Sequence, residues 1–411
     1  MRSELRWLLA LGGVLLAASA CAAGPVPAAP AFVPIETVLG ADCWGEFGDD
    51  VLQAVRDCRA ADGGRIALQV ADAETGPARA GFDARCDGAR CADLAQVLQA
   101  APQRRLLLRT PPRRLDAVLA AVQAADAGTR VAIEPQLQRP QGDSAPIALA
   151  RGVRYWRSAR STPAPAMLHI AQIDLRTPGL ELVATPGDRS GGKEFLATPT
   201  SAFVREHALA LAINADYFLP FDGGHLLDKA FVPLAGSGVT AEGLAIGDGR
   251  LASDGATADA RVDGAFCAGP RGAQILRGRG GCPRGSRVGI GAGPVLLLDG
   301  KRQPRETSRA AYYDGREPRT ALGLDAKRQT LWLVVVDGRQ PHYSEGMTLD
   351  ELSAVFEALG ASSAINLDGG GSSTMAARVD GQARVLNSSI HTGIPGRERP
   401  VANHLGIRVQ P

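Results

Sequence analysis

The pattern of helix-like and strand-like segments changes near residue 146, and this change constrains the fold more than any other feature of the sequence. From about Glu36 to Gln136, apolar helical segments alternate with short strand-like runs such as "RRLLLRT" and "RVAIEP". Such alternation is typical of a small parallel sheet with helices packed on it. Beyond this point, short strands follow one another across glycine turns. We therefore predict a smaller N-terminal βα-type module over 36–146, and a strand-rich, mixed α/β (α+β) domain over 151–411.

The N-terminal module is predicted to contain three helices and three strands. We place the helices at 49–60, 91–100 and 113–128, with Gly128 ending the last, and the strands at 65–70, 104–110 and 130–135. The module has no His-Arg signature and no paired acidic signature that would indicate catalysis. We expect it to be a non-catalytic accessory unit.

Three local patterns give specific predictions in the second domain. "GMTLDELSAVFEALG" predicts a helix that begins with a capping box of Thr348 and Glu351 and ends at Gly360. "RTALGLDAKRQTLWLVVVDGR" predicts a hairpin whose turn is Asp325–Gln329. "TPG" at 177–179 predicts a turn between two strands.

Length and charge limit the classes of function. The 411 residues suffice for two to three domains with proper cores. The net charge of +2 shows no basic excess of the kind that binds nucleic acid. We therefore expect no nucleic-acid partner.

The N-terminus has the features of an export signal. Arg2 and Arg6 precede an apolar segment, Trp7 to Ala20, that is too short to be a resident membrane helix. Cys21 follows small residues, as in the cleavage box of a bacterial lipoprotein, and both lipidation there and simple signal cleavage remain open. We predict a signal peptide over 1–23, a Pro/Ala-rich tether over 24–35, and a bacterial protein that is periplasmic or anchored to the outer membrane, with membrane attachment only through a lipid on Cys21.

The remaining six cysteines predict disulfides rather than thiolate metal ligands. An even number in an exported chain favours disulfides, and no C-x-x-C spacing occurs among them. Their clustering along the chain favours three local pairs: Cys43–Cys58, Cys86–Cys91 and Cys267–Cys282.

The stretch "INLDGGGSSTM" is the main candidate for chemistry. Its apolar run predicts a buried strand, so that Asp368 lies at the strand end, followed by three glycines. Exposed amide groups of Gly369, Gly370 and Gly371, together with the hydroxyls of Ser372 and Ser373, would bind a phosphate or sugar oxygens. The alternative is a tight turn in which Asp368 caps its own backbone.

Other polar residues occur in similar positions at predicted strand ends. In "INADYF", Asn214 and Asp216 are two residues apart and would face the same way along an extended backbone. "REPRTALG" and "VVVDGRQ" place Arg319, Asp337 and Arg339 at the ends of paired strands, where an arginine would clamp a phosphate or form an internal salt bridge. "RPVANHLGI" adds Arg399 and Asn403 near the C-terminus.

These motifs resemble those of the phosphodiester glycosidase family. "INADYF", "GAGPVLL", "PRTALGL", "VVVDGR", "GMTLDELSAVFEALG", "AINLDGGGSSTM" and "RPVANHLGI" occur in the order expected of that family, and the resemblance covers about Arg151 to Gln410. It implies a mixed α/β fold and hydrolysis of a sugar-1-phosphodiester, of the N-acetylglucosamine-1-phosphodiester type, to free sugar and phosphomonoester.

From the resemblance and the chemistry together we assign roles to the candidate residues. Asp216 and Asp368 are expected to be catalytic, because cleavage at an anomeric carbon needs carboxylates. Substrate-binding roles are expected for Asn214, Arg319, Asp337, Arg339, Gly369, Gly370, Gly371, Ser372, Ser373, Arg399 and Asn403. The expected partner is a sugar-phosphate or glycan on the envelope or outside the cell.

Two other functions remain open from the sequence. In the first, Asp216, Asp337 and Asp368 hold Ca²⁺ or Mg²⁺ and the enzyme cleaves the P–O bond; otherwise no cofactor is required. In the second, the same pocket belongs to a non-catalytic protein that binds envelope glycans.

Overall fold

The computed structural model describes most of the second domain and parts of the N-terminal module. The described residues are 32–38, 66–70, 83–87, 90–91, 94–95, 98–99, 102–103, 105–110, 115–135, 139–140, 142–222, 232–255, 260–278, 281–305, 313–340 and 343–410. The predicted signal peptide, the predicted helix over 49–60 and the predicted Cys43–Cys58 pair lie outside them.

The N-terminal module contains a six-stranded sheet in the order β4-β3-β1-β2-β5-β6. Its described elements are β1 (Phe32–Val38), β2 (Ile66–Val70), β3 (Asp83–Asp87), β4 (Arg90–Cys91), β5 (Leu106–Thr110), the helix α1 (Leu115–Ala124) and β6 (Val131–Pro135).

The prediction of a parallel sheet is correct for only half of the module. β2, β5 and β6 are parallel, as the βα alternation predicts. β1 and β3 add to them in antiparallel register, and β1 begins inside the segment predicted to be a tether. Helix α1 ends at Ala124, four residues before the predicted end at Gly128. Asp126, just beyond the helix, takes a left-handed backbone conformation. The sequence of β1 alternates only weakly in polarity, so its periodicity did not reveal the strand.

The second domain is built almost entirely from antiparallel strands. They are β7 (Ile147–Ala150), β8 (Val153–Arg160), β9 (Ala166–Asp174), β10 (Leu180–Ala184), β11 (Phe195–Leu196), β12 (Leu211–Asn214), β13 (Phe218–Leu219), β14 (Gly238–Ala241), β15 (Leu244–Gly247), β16 (Arg250–Asp254), β17 (Gly264–Gly269), β18 (Gly272–Arg277), β19 (Val288–Ala292), β20 (Val295–Leu298), β21 (Lys301–Arg302), β22 (Arg319–Leu324), β23 (Thr330–Val336), β24 (Ser363–Asn366), β25 (Met375–Val379), β26 (Gln382–Val385) and β27 (His404–Val409). The two α-helices among its described residues are α2 (Thr200–Glu206) and α3 (Leu349–Leu359).

These strands form four sheets. The largest has eight strands in the order β21-β20-β24-β22-β23-β9-β8-β7. Two five-stranded sheets have the orders β10-β27-β12-β25-β26 and β16-β15-β19-β17-β18, and a small sheet has the order β11-β14-β13. One apolar cluster contains side chains from the eight-stranded sheet and from both five-stranded sheets, so these three sheets share a core.

The other face of the eight-stranded sheet is covered by α3. Leu349, Leu352 and Phe356 of this helix pack in a second apolar cluster with residues of β9, β22 and β23. The predicted capping box is present at Thr348 and Glu351, and Gly360 ends the helix in the left-handed conformation. The predicted β22–β23 hairpin is also confirmed, with the Asp325 carboxylate accepting hydrogen bonds from the amides of Gln329 and Thr330.

One of the three predicted disulfides is confirmed among the described residues. Cys267 in β17 is bonded to Cys282, which confirms that pair. Cys86 and Cys91 lie opposite each other in the β3–β4 register, and their disulfide stays a prediction. None of the described helices is long and apolar enough to span a membrane.

Candidate active site

Two strand ends from different sheets meet at one place in the second domain. β12 ends at Asn214 in a five-stranded sheet, and β24 ends at Asn366 in the eight-stranded sheet. Asn214 connects them, because its Nδ2 donates to the Asp368 carbonyl (2.7 Å) and its Oδ1 accepts from the Thr374 amide (3.0 Å). The Asp368 amide in turn donates to the Ala215 carbonyl (2.9 Å). Asn214 is thus a buried positioning residue for the glycine loop.

A cavity of about 250 Å³ opens over this junction. Asp368, four arginines and an aromatic segment that follows β12 line its walls. The lining residues are Tyr217, Phe218, Leu219, Phe221, Arg261, Glu317, Arg319, Arg339, Asp368, Gly369, Gly370, Gly371 and Arg399. A carboxylate and several guanidinium groups in one concavity are suited to binding an anion beside an acid–base group.

Asp368 lies in the wall of the cavity and is only partly exposed there. Burial raises the pKa of its carboxyl group above the ordinary aspartate value. A hydrogen bond with Ser372, the charges of Arg399 and Arg261, and the amide of Gly369 oppose that rise, in this order. The carboxyl group is therefore poised by two opposed effects, which is a common property of catalytic acids and bases.

Asp216 lies beneath the cavity and does not line it. It is fully buried, and burial raises the pKa of its carboxyl group well above the usual value, with the nearby charge of Asp368 adding to the rise. Its Oδ2 accepts a hydrogen bond from Nδ2 of Asn403. The Gly291 amide is close enough to oppose the pKa rise, but no hydrogen bond of normal geometry from the described residues reaches Oδ1.

Two cavity arginines are held against aromatic rings of the segment that follows Asp216. The guanidinium carbon of Arg261 lies 4.1 Å from the centre of the Tyr217 ring, and that of Arg399 lies 4.3 Å from the centre of the Phe221 ring. Such stacking fixes a guanidinium group without neutralising it.

Arg399 keeps its charge in a largely buried position. Its Nε donates to Nδ1 of His391 (3.1 Å) and its Nη1 donates to Oγ of Ser372 (3.1 Å), both neutral acceptors. Within the described part of the chain, no carboxylate lies within salt-bridge distance of it. Burial lowers the pKa of Arg399 to about 10, so it remains cationic at neutral pH. A bound anion would complete its charge balance.

Arg339 and Glu317 form an ion pair at the cavity wall. Nε of Arg339 donates to Oε2 of Glu317 (2.6 Å), and Arg339 has a left-handed φ of 59°. A non-glycine residue in that region carries backbone strain, which is more common at functional sites than elsewhere. The Arg339 side chain lies next to Gly370, where a Cβ would be 3.1 Å from its Nη2.

The structure changes the role predicted for the glycine loop. The amide of Gly370 donates to the Pro318 carbonyl, and those of Ser372 and Ser373 close a 3₁₀ turn over Gly370–Ser372. The amide of Gly370 is therefore already used, and that of Gly369 acts on the Asp368 carboxyl group itself, whereas the anion-binding role of the Gly371 amide stays a prediction. Gly371 also permits a close approach of Arg399, since a Cβ there would lie 2.5 Å from Nη2 of that arginine.

Arg319 and Asp337 also have partners other than those the sequence predicted. Arg319 lines the cavity, but its guanidinium group donates to the carbonyls of Met347 (2.9 Å) and Gly315 (2.7 Å). Asp337 does not line the cavity and accepts four hydrogen bonds from neighbouring groups. Strand pairing carried Asp337 into the interior, away from the predicted substrate.

The remaining predicted residues act indirectly. Asn403 binds Asp216, Ser372 connects Arg399 with Asp368, and Ser373 does not line the cavity. Among the residues that the structure describes, no cluster of acidic, histidine or cysteine side chains is suited to a metal ion, so Asp216, Asp337 and Asp368 do not form one.

Several lining residues were not predicted from the sequence. Glu317 immediately precedes the "PRT" motif and Tyr217 and Phe221 follow "INAD", so proximity to a motif was an available signal. Arg261 lies far from every motif, before the β17 strand of the disulfide-bearing insert. No sequence signal indicated it.

The fold and the cavity define a strand-rich domain with a carboxylate and several guanidinium groups in one cavity at the junction of two sheets. Residues 207–408 match the model of the phosphodiester glycosidase family, which confirms the resemblance indicated by the motifs over this segment. A search of curated proteins finds no match.

Three solved structures are similar to this chain. One is a hypothetical protein from Synechocystis, with 17% identity and a TM-score of 0.46, covering 64% of this chain and 63% of its own. The second is the zebrafish N-acetylglucosamine-1-phosphodiester alpha-N-acetylglucosaminidase catalytic domain, auto-inhibited by its pro-peptide, with 20% identity, a TM-score of 0.44, and coverage of 68% and 87%. The third is described as an exported protein from Burkholderia pseudomallei, with 17% identity, a TM-score of 0.44, and coverage of 61% and 75%. This chain thus spans less than two thirds of the Synechocystis protein.

Proposed function

We propose that this protein hydrolyses a glycosyl-1-phosphodiester to a free sugar and a phosphomonoester. The observation that carries the proposal is the position of Asp368, which shares one cavity with Arg261 and Arg399 and is influenced by both of their charges. The carboxyl group and the two cations match the two requirements of the reaction, which are a group for the anomeric carbon and a site for the phosphate. The family match supports the same chemistry.

In the proposed reaction, water attacks the anomeric carbon and the bond between that carbon and the phosphate oxygen breaks. The oxygen of water remains on the sugar, and the phosphomonoester leaves with the bonding electrons. Arg399 and Arg261 neutralise the charge of the departing phosphate, so protonation of the leaving group matters less than in ordinary glycosidases. Asp368 stabilises the cationic anomeric centre or takes the proton of the attacking water.

Asp216 is proposed as a partner of Asp368 rather than as a group that contacts the substrate. It is fully buried beneath the cavity, and its charge is coupled to that of Asp368. Through Asn403 and the Ala215 backbone it belongs to the structure that positions the Asp368 loop.

The motif resemblance makes α-N-acetylglucosamine the first sugar to test. An exported bacterial protein, periplasmic or lipid-anchored through Cys21, would meet such a bond in an envelope or extracellular glycan. Both the sugar and the location are part of the proposal.

Product analysis tests this function directly. The protein, without the signal residues before Gly24, is incubated with the methyl phosphodiester of α-N-acetylglucosamine in ¹⁸O-water and followed by ¹H and ³¹P NMR. We expect ¹⁸O in the sugar, and almost none released by Asp368→Asn. The matched control is Asp380→Asn, an identical change at an exposed turn whose left-handed backbone suits asparagine.

Two other results would redirect the proposal. Label in the phosphate would indicate cleavage of the P–O bond, and a loss of turnover on chelation would add a metal ion to that chemistry. Saturable binding with no turnover would indicate a glycan-binding protein.

A further inference from the structure

We infer that Leu219 and Phe221 form an apolar rim that binds the aglycone of the substrate, and that this aglycone is an alkyl or aryl group. The inference rests on the proposed function, because the aglycone is the group that remains on the phosphate after cleavage. It adds a substrate class that the sugar-phosphate site alone does not define.

The size of the cavity places the aglycone outside it. Its volume of about 250 Å³ is below the roughly 300–1,000 Å³ that drug-sized ligand sites occupy. A single sugar with its phosphate would use most of this space. The group beyond the phosphate must therefore lie across the mouth, where Leu219 and Phe221 line the wall.

The rim exposes more apolar surface than its position in the fold requires. Leu219 is 49% exposed and Phe221 is 44% exposed, whereas Phe218, the neighbour of Leu219 in β13, is buried in the core of the small sheet. Strand alternation directs Leu219 away from that core, so a polar side chain would satisfy the fold equally well. Neighbouring exposed apolar residues at the mouth of a site are typical of a binding surface.

The contact between Phe221 and Arg399 connects the rim to the phosphate site. The Arg399 guanidinium group lies over the Phe221 ring at 4.3 Å and also bonds to Ser372 beside Asp368. A phosphate bound by Arg399 would carry its ester substituent next to that ring. An alkyl or aryl substituent would then cover the exposed part of Phe221 and contact Leu219.

The test compares aglycones of increasing apolar size and includes one pair that differs in polarity at nearly constant size. We would measure kcat/KM for methyl, propyl, 2-hydroxyethyl, butyl and phenyl phosphodiesters of the same sugar. Because propyl and 2-hydroxyethyl are nearly isosteric, their ratio reports apolar contact alone. We expect propyl to exceed 2-hydroxyethyl about fivefold and butyl to exceed methyl by about tenfold or more, in line with burial of apolar groups. The butyl and phenyl arms distinguish an alkyl from an aryl aglycone.

Substitutions assign the preference to the rim. In Leu219→Ser, we expect the butyl-to-methyl ratio to fall towards one. Leu234→Ser is the matched control, because Leu234 is also an exposed leucine (57%) but does not line the cavity, and its ratio should equal that of the unaltered protein.

The outcomes separate this inference from the proposed function. Turnover of all esters at equal rates would overturn the apolar rim and leave the hydrolase proposal intact, and so would a preference that Leu219→Ser retains. If no ester is hydrolysed, calorimetric binding of the butyl and methyl esters still decides the question. Tighter binding of butyl that Leu219→Ser removes would support the rim, and equal binding would overturn it.

Discussion

Two clusters of buried polar groups lie at strand ends of the same domain, and they differ in how their charges are satisfied. Around Asp337, one carboxylate oxygen accepts from Asn387 Nδ2 and the Ser388 amide (both 2.9 Å). The other accepts from Nε2 of His169 (3.0 Å) and the hydroxyl of Tyr343 (3.2 Å). Around Asp368, in contrast, charged groups of both signs face a cavity that is open to ligand.

The comparison separates a structural charge from a functional one. A buried carboxylate with all its acceptor sites occupied holds its neighbours in place, and its loss lowers the free energy of unfolding. A carboxylate with a raised pKa that lines a cavity is available to a substrate, and its loss lowers the catalytic rate. Both aspartates follow apolar strands, so the sequence alone made them look alike.

The largest expected effect is on catalysis in Asp368→Asn. Removing the charge while keeping the shape should lower kcat/KM by roughly 10³-fold, the range for loss of an acid–base group. The melting temperature should remain close to that of the unaltered protein, because a carboxyl group whose pKa burial raises is not stabilised by its surroundings. Steady-state kinetics and differential scanning calorimetry on the same sample test both statements. A large drop in melting temperature would place Asp368 in the structural class.

The next effect, on stability, is expected in Asp337→Asn. The NH₂ group of the asparagine would replace one carboxylate oxygen and would face the two donors that this oxygen accepts from. At least two hydrogen bonds are therefore lost, which should lower the free energy of unfolding by about 2–4 kcal/mol. Urea unfolding at neutral pH measures this change, with Asp380→Asn as the exposed control. Below its unfolding transition the variant should keep kcat/KM within a few fold. A catalytic defect as large as that of Asp368→Asn would contradict the comparison.

Arg399→Gln should weaken catalysis about 100-fold, because it removes a cation that would bind the departing phosphate. The same substitution should also change the pH dependence of the rate. The positive charge of Arg399 lowers the pKa of Asp368, so its removal raises that pKa, and the limb of the pH–rate profile that reports Asp368 shifts to higher pH.

The control for this substitution is Arg397→Gln, the same change two residues away at a residue that does not line the cavity. Its pH profile should match that of the unaltered protein. If both variants shift equally, the effect is one of general surface charge rather than of a local pair.

The smallest effect is expected in Asp216→Asn, and its sign is opposite to that of Asp337→Asn. The folded state raises the pKa of Asp216, so it binds a proton more tightly than the unfolded chain does. The stability of the unaltered protein therefore falls as pH rises from the ordinary aspartate range through this higher pKa. Asparagine avoids that loss, and Asp216→Asn should be more stable than the unaltered protein at neutral pH.

The difference between Asp216→Asn and the unaltered protein should be much smaller near pH 4, where the carboxyl group is protonated in the folded state and about half protonated in the unfolded chain. Urea unfolding at pH 4 and at pH 7 tests this. A destabilised variant at pH 7 would show that the ionised form of Asp216 is required by the fold.

Local patterns in the sequence determined much of the second domain. The capping box and the apolar face fixed helix α3, and alternation with a polar turn fixed the β22–β23 hairpin. Motif order also indicated that Asn214 and Asp368 belong to one site, and Asn214 does bind the Asp368 backbone. These features depend on residues close in sequence, or on motifs that keep their spacing.

The tertiary structure alone decided which polar groups face a ligand. Arg319, expected to clamp a phosphate or form an internal salt bridge, lines the cavity but donates to two backbone carbonyls. Arg261, which no sequence signal indicated, lines the same cavity. Gly371 permits a close approach of Arg399, and the amide of Gly370 donates to the Pro318 carbonyl. The physical reason is that the direction and burial of a side chain are set by the strands packed around it, and here those strands come from three sheets and widely separated parts of the chain.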